Sequence, residues 1–396
     1  MKDGILKETK NSRLLKAELP ATYAELVALA AGAGIPADVL FNATGWQQIP
    51  TFLSKKNLLQ DSTAGLLGLT GDPTVDDAFV ALLLTVKQMA LVRVAVTVAG
   101  APAIADIEVT GLEGLDGGAV YTDADGVAVG FVPAGEVSVS TPVYQDLPAA
   151  PAVTRELAAG EIVDVSLAIG SAPQAGDKSV TSTTSGIRFS PYVTGVDVCC
   201  VGGGGSGAAA FVEGLDRKGG GGGAGGQVVN RLGVTPDTRT DYKAVVGSRG
   251  PGLNLSPGTS DVSGNRGGDS SFMGVTAYGG GGGVGSNGGS GTFPGGNGGN
   301  GYNIAAQDGA ANTGTRAFND PDGELYSGGG GGAGTGSNGQ GGSPNGGDGE
   351  SRDNGRGQDA RGTGGGGGGA IRGRSGSNAI SGDGYQGLVR FRWRVA

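Results

Sequence analysis

The sequence predicts a mainly β protein with three parts: a small helical N-terminal region, an antiparallel β-sandwich, and a glycine-rich domain of β strands and packed polyglycine-II helices. Three observations support this prediction. Helix-like patterns are confined to residues 1–91, a period of two begins near residue 92, and glycine runs recur from about residue 171. The 396 residues suffice for separate domains, which we place at 1–91, 92–170 and 171–396.

The N-terminal region carries two helix-start signals. Thr22-Tyr-Ala-Glu25 is a capping-box pattern, and Thr74-Val-Asp-Asp77 follows the Asp72-Pro73 turn. Apolar residues from Val75 to Met89 then alternate four and three apart, as in a heptad seam. The seam covers only about two heptads, so an oligomerising coiled coil and an ordinary amphipathic helix both remain open.

The middle region has the alternation of half-buried strands, which is clearest over Val92–Val98. Further strand-like runs lie at 107–109, 127–131, 136–140 and 162–169. Several short strands divided by turn residues predict an antiparallel sandwich. Asp123-Ala-Asp125-Gly126 resembles the start of a calcium loop, but it lacks the further acidic ligands, so we predict a turn.

The C-terminal region alternates between glycine tracts and strand-like segments. The tracts lie at 202–205, 219–223, 279–283, 328–332 and 364–369, and the segments at 187–201, 227–232, 242–246, 272–278 and 388–395. In the last segment, apolar residues share one face and Arg390, Arg392 and Arg394 share the other. We predict a half-buried strand with a solvated arginine face, and a basic binding stripe is the alternative.

The first tract is not predicted to bind a nucleotide. Its GGGGSG run satisfies the dinucleotide-binding pattern, but any glycine run does so. The only helix candidate that follows, Ala208–Leu215, is closed off by Gly219, and no βαβ unit follows. The tracts also recur, whereas a phosphate loop occurs once.

The glycine tracts are predicted to pack side by side. A disordered linker is the alternative, but strand-like segments with large apolar residues separate the tracts. Collagen is excluded because no strict three-residue repeat is present. A polyproline-II-like chain has three residues per turn and no internal hydrogen bonds, so its backbone must bond to neighbours. Only glycine permits such close approach.

The composition argues against most enzyme chemistry and against several classes of partner. No histidine is present, and the only cysteines are Cys199 and Cys200, which on one strand point to opposite faces and are predicted to be reduced and half-buried. We predict no catalytic residues, metal site or cofactor. The net charge of −9 disfavours nucleic acid. The apolar runs are too short to cross a bilayer, so no membrane insertion is predicted.

Residues 185–396 resemble the glycine-rich domain of phage tail proteins, which is related to one in the extracellular part of anaplastic lymphoma kinase. The motifs that carry the resemblance are YVTGVDVCCVGGGG at 192–205, YKAVVG at 242–247, GDSSFMGVTAYGGGGG at 268–283 and GLVRFRW at 387–393. In the phage proteins, polyglycine helices pack into a sandwich whose intervening loops contact a receptor. The resemblance therefore implies recognition of a host-cell surface glycan or protein.

Two further resemblances lie upstream. LPATYAEL at 19–26, LSKKNLLQDSTAGLLGL at 53–69 and TVDDAF at 74–79 resemble the N-terminal region of tail fibres from phages of Gram-positive bacteria. VYTDADG at 120–126 and FVPAGEV at 131–137 resemble carboxypeptidase-regulatory-like and collagen-adhesin B-type sandwiches. These likenesses imply a virion tail protein, made in the host cytoplasm. It would be a homo-oligomer, most simply a trimer, attached to other tail or baseplate proteins by residues 1–91.

The candidate receptor-binding residues lie between the glycine tracts. Aromatic rings beside amides and guanidinium groups suit sugar or protein surfaces. The candidates are Phe293, Asn300, Tyr302, Arg316, Phe318 and Tyr326. For each, packing beneath its own loop is the open alternative. Two other functions also remain open, a bacterial surface adhesin and a tail-associated enzyme that degrades polysaccharide.

Overall fold

The structure is a computed structural model that describes residues 88–114, 117–211, 219–256, 261–285, 287–289, 296–301, 306–311, 315–334, 337–350, 355–372 and 378–396. The helices predicted after Thr22 and Thr74 lie outside these residues. The end of the predicted heptad seam is wrong, because Met89 is the first residue of a strand. The described chain is nearly all β, as predicted. It forms two compact units, the second made of Val143–Pro148 and Ser171–Ala396.

The first unit contains eight described strands. They are β1 (Met89–Val98), β2 (Ala101–Pro102), β3 (Glu108–Val109), β4 (Val120–Tyr121), β5 (Val127–Pro133), β6 (Gly135–Val139), β7 (Val153–Leu157) and β8 (Ile162–Ile169). The even-numbered residues of β1 from Ala90 to Val98 are buried, which confirms the predicted alternation. β5 pairs with β1 in antiparallel register, but β8 pairs with β1 in parallel. A parallel pair needs a long connection, and the chain between β1 and β8 provides one. The predicted sandwich is antiparallel throughout, so this parallel pair is a correction.

The second unit contains twelve described strands. They are β9 (Gly176–Val180), β10 (Thr184–Ile187), β11 (Val193–Val201), β12 (Ala209–Phe211), β13 (Val228–Val234), β14 (Tyr242–Ala244), β15 (Asn254–Leu255), β16 (Ser270–Phe272), β17 (Val275–Ala277), β18 (Ala370–Arg372), β19 (Ala379–Ile380) and β20 (Leu388–Val395). The segment Ala208–Leu215, the helix candidate considered for a nucleotide site, is a strand where it is described, because β12 occupies Ala209–Phe211.

The main sheet of the second unit has the strand order β13-β11-β20-β9, with antiparallel neighbours. We call the face of this sheet that carries Val196, Val198, Phe391 and Trp393 the lower face, and the opposite one the upper face. Val198 lies opposite Phe391 in the register, and Val196 lies opposite Trp393. These residues pack with Phe189, Tyr242 and Phe272 in an aromatic core. The stacked rings of Phe272 and Phe391 have centroids 4.7 Å apart.

The glycine tracts are laterally bonded extended helices. Successive amides of residues 220–226 donate to three neighbouring segments in rotation, so every third residue faces the same neighbour. The donor–acceptor pairs, 2.8–3.0 Å apart, are Gly220–Ala370, Gly223–Gly367 and Gly226–Gly364 on one side, Gly221–Gly285 and Ala224–Gly281 on the second, and Gly222–Gly299 and Gly225–Gly296 on the third. This three-residue period without internal bonds is the polyglycine-II arrangement that the sequence predicts.

A second tract, residues 202–208, repeats the arrangement. Its first, fourth and seventh amides, those of Gly202, Gly205 and Ala208, donate to carbonyls at 227, 224 and 221. The amides between them donate alternately to the segments at 262–268 and 382–385. We call the set of laterally bonded tracts the glycine lattice. Its backbone polar groups are satisfied by neighbouring tracts, as buried amides require.

At positions such as Gly222 and Gly330, glycine is required because there is no room for a side chain. A Cβ built on Gly222 would overlap the carbonyl oxygen of Gly330, and one on Gly330 would overlap that of Gly367. Neither glycine has a positive φ, so the constraint is space rather than backbone conformation. The tract at 219–223 is therefore in close contact with the tract at 328–332, and that tract is in close contact with the one at 364–369.

Candidate functional site

Phe318, one of the predicted receptor-binding residues, lies inside the second unit. Its side chain is only 3% exposed and packs on the upper face of the main sheet with Cys199, Val201 and Leu388. The guanidinium groups of Arg390 and Arg392 lie 5.4 and 4.6 Å from its ring centroid. For this residue, the alternative of packing beneath its own loop describes the structure.

Tyr326 and Arg316 also have structural partners. Tyr326 is 5% exposed, its hydroxyl donates to Glu324 Oε2 at 2.5 Å, and its burial raises the pKa of the phenol. Arg316 is half-buried, and its Nη1 donates to the carbonyl of Gly323 at 2.9 Å. Tyr326 therefore packs against the sheet, while Arg316 fixes the turn that carries Phe318.

Asn300 links segments of the lattice. Its Oδ1 accepts a hydrogen bond from the amide of Gly288 at 2.7 Å, and its Nδ2 donates to Gln307 Oε1 at 2.9 Å. Phe293 and Tyr302 lie outside the described residues. The structure thus brings Arg316, Phe318 and Tyr326 together beside the sheet and places Asn300 within the lattice.

The arginine face of β20 is paired rather than freely solvated. Arg390 Nη2 lies 2.9 Å from Asp177 Oδ2, and Arg392 contacts both Asp197 at 2.8 Å and Asp320 at 2.7 Å. Burial raises the pKa of Asp197, but hydrogen bonds from Arg392 and the Gly233 amide, with the charges of Arg394 and Arg392, outweigh it and lower the pKa overall. The face is a structural ion-pair network, so a basic stripe for a ligand is not formed.

Cys199 and Cys200 are reduced and point to opposite faces of the main sheet, as predicted. Both are fully buried rather than half-buried. Cys199 packs with Phe318 on the upper face, and Cys200 joins the aromatic core on the lower face. Burial raises the pKa of each thiol to about 12. Both thiols therefore stay protonated near neutral pH, and neither is activated as a nucleophile.

The Asp123–Gly126 segment forms the predicted turn. Asp123 Oδ1 accepts hydrogen bonds from the amides of Asp125 and Val127, each at 2.9 Å, and Gly126 has a φ of +76°. The carboxylate therefore stabilises the turn itself. Among the residues that the structure describes, no group of three or more acidic or thiol side chains is arranged to hold a metal ion.

A groove of about 490 Å³ lies in the second unit, where three segments distant in the sequence meet. We call it the Tyr385 groove. Its lining residues are Thr181, Ser182, Val246, Gly247, Ser248, Arg249, Tyr385 and Gln386. The volume lies within the range of about 300–1,000 Å³ that small-molecule sites occupy.

The walls of the groove are fixed by the lattice. The amide of Tyr385 donates to Gly365 at 2.9 Å, and its carbonyl accepts from Gly204 at 2.8 Å. The carbonyl of Gln386 accepts from Gly364, and that of Ser248 accepts from Gly268. The backbone that carries these side chains is therefore held before any ligand arrives, which reduces the entropy cost of binding.

The side chains of the groove offer hydrogen bonds that the protein itself does not use. Tyr385 is 40% exposed, and Thr181, Ser182, Ser248 and Gln386 are exposed as well. Within the described ranges, none of these five side chains has a hydrogen-bond partner. Arg249 is 61% exposed and pairs with Asp383 at 3.1 Å. The groove thus combines one aromatic ring with unpaired hydroxyl and amide side chains and with one guanidinium group that is paired with Asp383.

Sequence reasoning missed this groove, although a signal for it exists. Tyr385-Gln386 stands between Gly384 and Gly387, and this pairing of an aromatic ring with an amide is the one used to select the other candidates. The remaining lining residues come from 181–182 and 246–249, which only the folded chain brings to the same place.

Comparison with known proteins defines the class of the second unit. The second unit is built around interlocked glycine tracts, and the model of the family called "Glycine-rich domain" matches residues 179–394. The chain belongs to the glycine-rich domain family. No curated protein has a sequence that matches this chain.

Two solved structures show a weak similarity to the chain. A DUF3823 family protein from Parabacteroides merdae is 13% identical, with 40% of this chain and 89% of that one covered and a TM-score of 0.17. A DUF3823 family protein from Bacteroides ovatus is 8% identical, with 49% and 96% covered and a TM-score of 0.16. Scores this low do not define a shared fold.

No helix in the described part of the chain has both the length and the apolar character needed to cross a lipid bilayer.

Proposed function

We propose that this chain is a phage tail-fibre or tail-tip protein whose glycine-rich domain binds a glycan or protein on the surface of the host cell. The observation that carries the proposal is the glycine lattice. Its glycines have no side chains with which to discriminate among ligands, but their lateral hydrogen bonds form a rigid frame for the described segments between the tracts. Rigid frames that display variable segments are a common basis of recognition. Membership of the glycine-rich domain family supports the proposal through the resemblance to phage tail proteins.

The other regions have supporting parts in this proposal. The first unit is a spacer of the carboxypeptidase-regulatory-like type. Residues 1–91 attach the protein to other tail or baseplate proteins and assemble it as a trimer. Recognition is non-catalytic, and the finished protein resides in the virion tail.

Binding of the labelled full chain to bacterial cell walls tests the proposed function. We expect saturable binding to purified walls from some Gram-positive species and none to walls from others, without release of soluble sugar. Binding of a given wall preparation is expected to be lost after heat denaturation of the protein. Absence of binding to every wall in a broad panel would contradict receptor recognition. Steady release of reducing sugar would favour a polysaccharide-degrading enzyme instead.

A further inference from the structure

We propose that the Tyr385 groove is a binding site for an uncharged saccharide. The inference rests on the proposed function and deepens it, because it assigns both the ligand class and the place where the ligand binds. Neither the predicted receptor-binding residues nor the family membership points to this groove. The proposal rests on the side chains and charges of the groove itself.

The exposed ring of Tyr385 provides the apolar part of a sugar site. A pyranose has one face of C–H groups and a rim of hydroxyls, so it combines well with a flat aromatic surface bordered by polar atoms. Tyrosine offers such a surface and loses little side-chain entropy on binding. Because both backbone groups of Tyr385 are bonded to lattice residues, the base of this side chain is already fixed.

The free polar groups of the groove match the hydroxyls of a sugar. The hydroxyls of Thr181, Ser182 and Ser248 both donate and accept, and the amide of Gln386 does the same from two atoms. Sugar hydroxyls also donate and accept, so each can pair with these groups. None of the four side chains must break a protein hydrogen bond to do so within the described structure.

The local charge favours an uncharged ligand. Among the described lining residues, Arg249 is the only charged one, and Asp383 Oδ2 lies 3.1 Å from its Nη1. The amide of Asp383 in turn donates to Asp359 Oδ1, so a second carboxylate lies close behind. Asp359 is itself paired with Arg356 at 3.1 Å. A phosphate or uronate would meet a guanidinium whose charge is already compensated by the carboxylate of Asp383. Arg249 therefore acts as a hydrogen-bond donor to a neutral sugar.

Saturation-transfer difference NMR on the full chain tests the proposal, because it detects ligands that bind with millimolar affinity. The neutral probes are methyl glycosides of glucose, galactose, rhamnose and N-acetylglucosamine. Methyl glucuronide and glycerol phosphate are the negatively charged probes. We expect signals from at least one neutral glycoside. Tyr385→Ala should weaken that binding by about tenfold or more, the loss that an aromatic anchor commonly causes. Gln386→Ala should weaken it as well.

Tyr278→Ala is the matched control. Tyr278 is 50% exposed, lies outside the lining and also has its backbone amide bonded within the domain. This variant should bind the glycoside as the unmodified protein does, and equal melting temperatures establish that all variants are folded. If Tyr385→Ala does not fold, Gln386→Ala carries the test, since its side chain has no partner in the described structure.

The outcomes separate this site from the wider function. Cell-wall binding that survives both groove variants, or no signal from any neutral glycoside, would overturn the saccharide site and leave receptor recognition standing. A stronger signal from glucuronide or glycerol phosphate would overturn the assignment of an uncharged ligand. Loss of both glycoside and wall binding in Tyr385→Ala, with both retained in Tyr278→Ala, would support the site.

Discussion

Replacing Gly330 with valine is expected to destabilise the glycine-rich unit by at least about 3 kcal/mol. The amide of Gly330 donates to Gly223 at 2.7 Å, and its carbonyl accepts from Gly299 at 2.8 Å. A Cβ at this buried position would overlap the carbonyl oxygen of Gly367, which is a backbone atom that no rotamer change can move. The tracts must separate, and lateral hydrogen bonds are lost with them. Urea unfolding of the full chain, followed by circular dichroism, measures the change.

Gly170→Val provides the control for the same substitution. A Cβ on Gly170 meets no atom within 4 Å, and this exposed glycine has no positive φ. We expect a change within about 0.5 kcal/mol, as for other surface substitutions. Equal stability of the two variants would mean that the segment around Gly330 is an exposed linker rather than part of a lattice.

Truncating Phe391 to alanine is expected to cost about 3–5 kcal/mol, the usual range for removing a buried aromatic side chain. The ring is fully buried beneath the main sheet. Its centroid lies 4.7 Å from that of Phe272, 5.8 Å from that of Phe189 and 5.8 Å from that of Trp393. The cavity would lie between rigid rings, so little of it can collapse. Thermal unfolding of the second unit reports the loss.

Tyr278→Ala serves as the comparison here too, because it removes an aromatic side chain that is half exposed. Its melting temperature should stay close to that of the unmodified protein. If Phe391→Ala were equally harmless, the aromatic cluster would contribute nothing to stability. The main sheet would then depend on the lattice alone.

Strands with strong alternation could be predicted from the sequence almost to the residue. The runs at 162–169 and 388–395 coincide with β8 and β20. The predicted strand 187–201 is instead divided, because Pro191 lacks an amide hydrogen and the Ser190 amide donates to the buried Asp146. The predicted strand at 272–278 is not one strand, because it contains the turn of the β16–β17 hairpin, with Met273 and Gly274 at positive φ.

The glycine lattice was predictable in kind but not in detail. Recurring tracts and the need to satisfy their amides point to lateral packing. Which tract bonds to which cannot be read from glycine, because identical residues carry no information about register. The pairing of 220–226 with 364–370 depends on the segments that connect them.

The candidate site was the least predictable part. The sequence shows that Phe318 and Tyr326 lie between glycine tracts, but not that the segment folds back onto the sheet, where Arg390 and Arg392 cover the ring of Phe318. Tyr385 has the same sequence context and is exposed. Burial is a tertiary property, and short-range composition does not separate the two cases.

Hydrogen–deuterium exchange of the backbone amides tests the lattice most directly. The amides of 220–226 and 202–208 each donate to a carbonyl of another segment, so they are predicted to exchange slowly and to become accessible only when the unit opens. Peptides from these tracts should be protected to the same degree as peptides from β11 and β20. Complete exchange of the tract peptides within seconds, while the strands remain protected, would contradict the packed lattice and establish flexible linkers in its place.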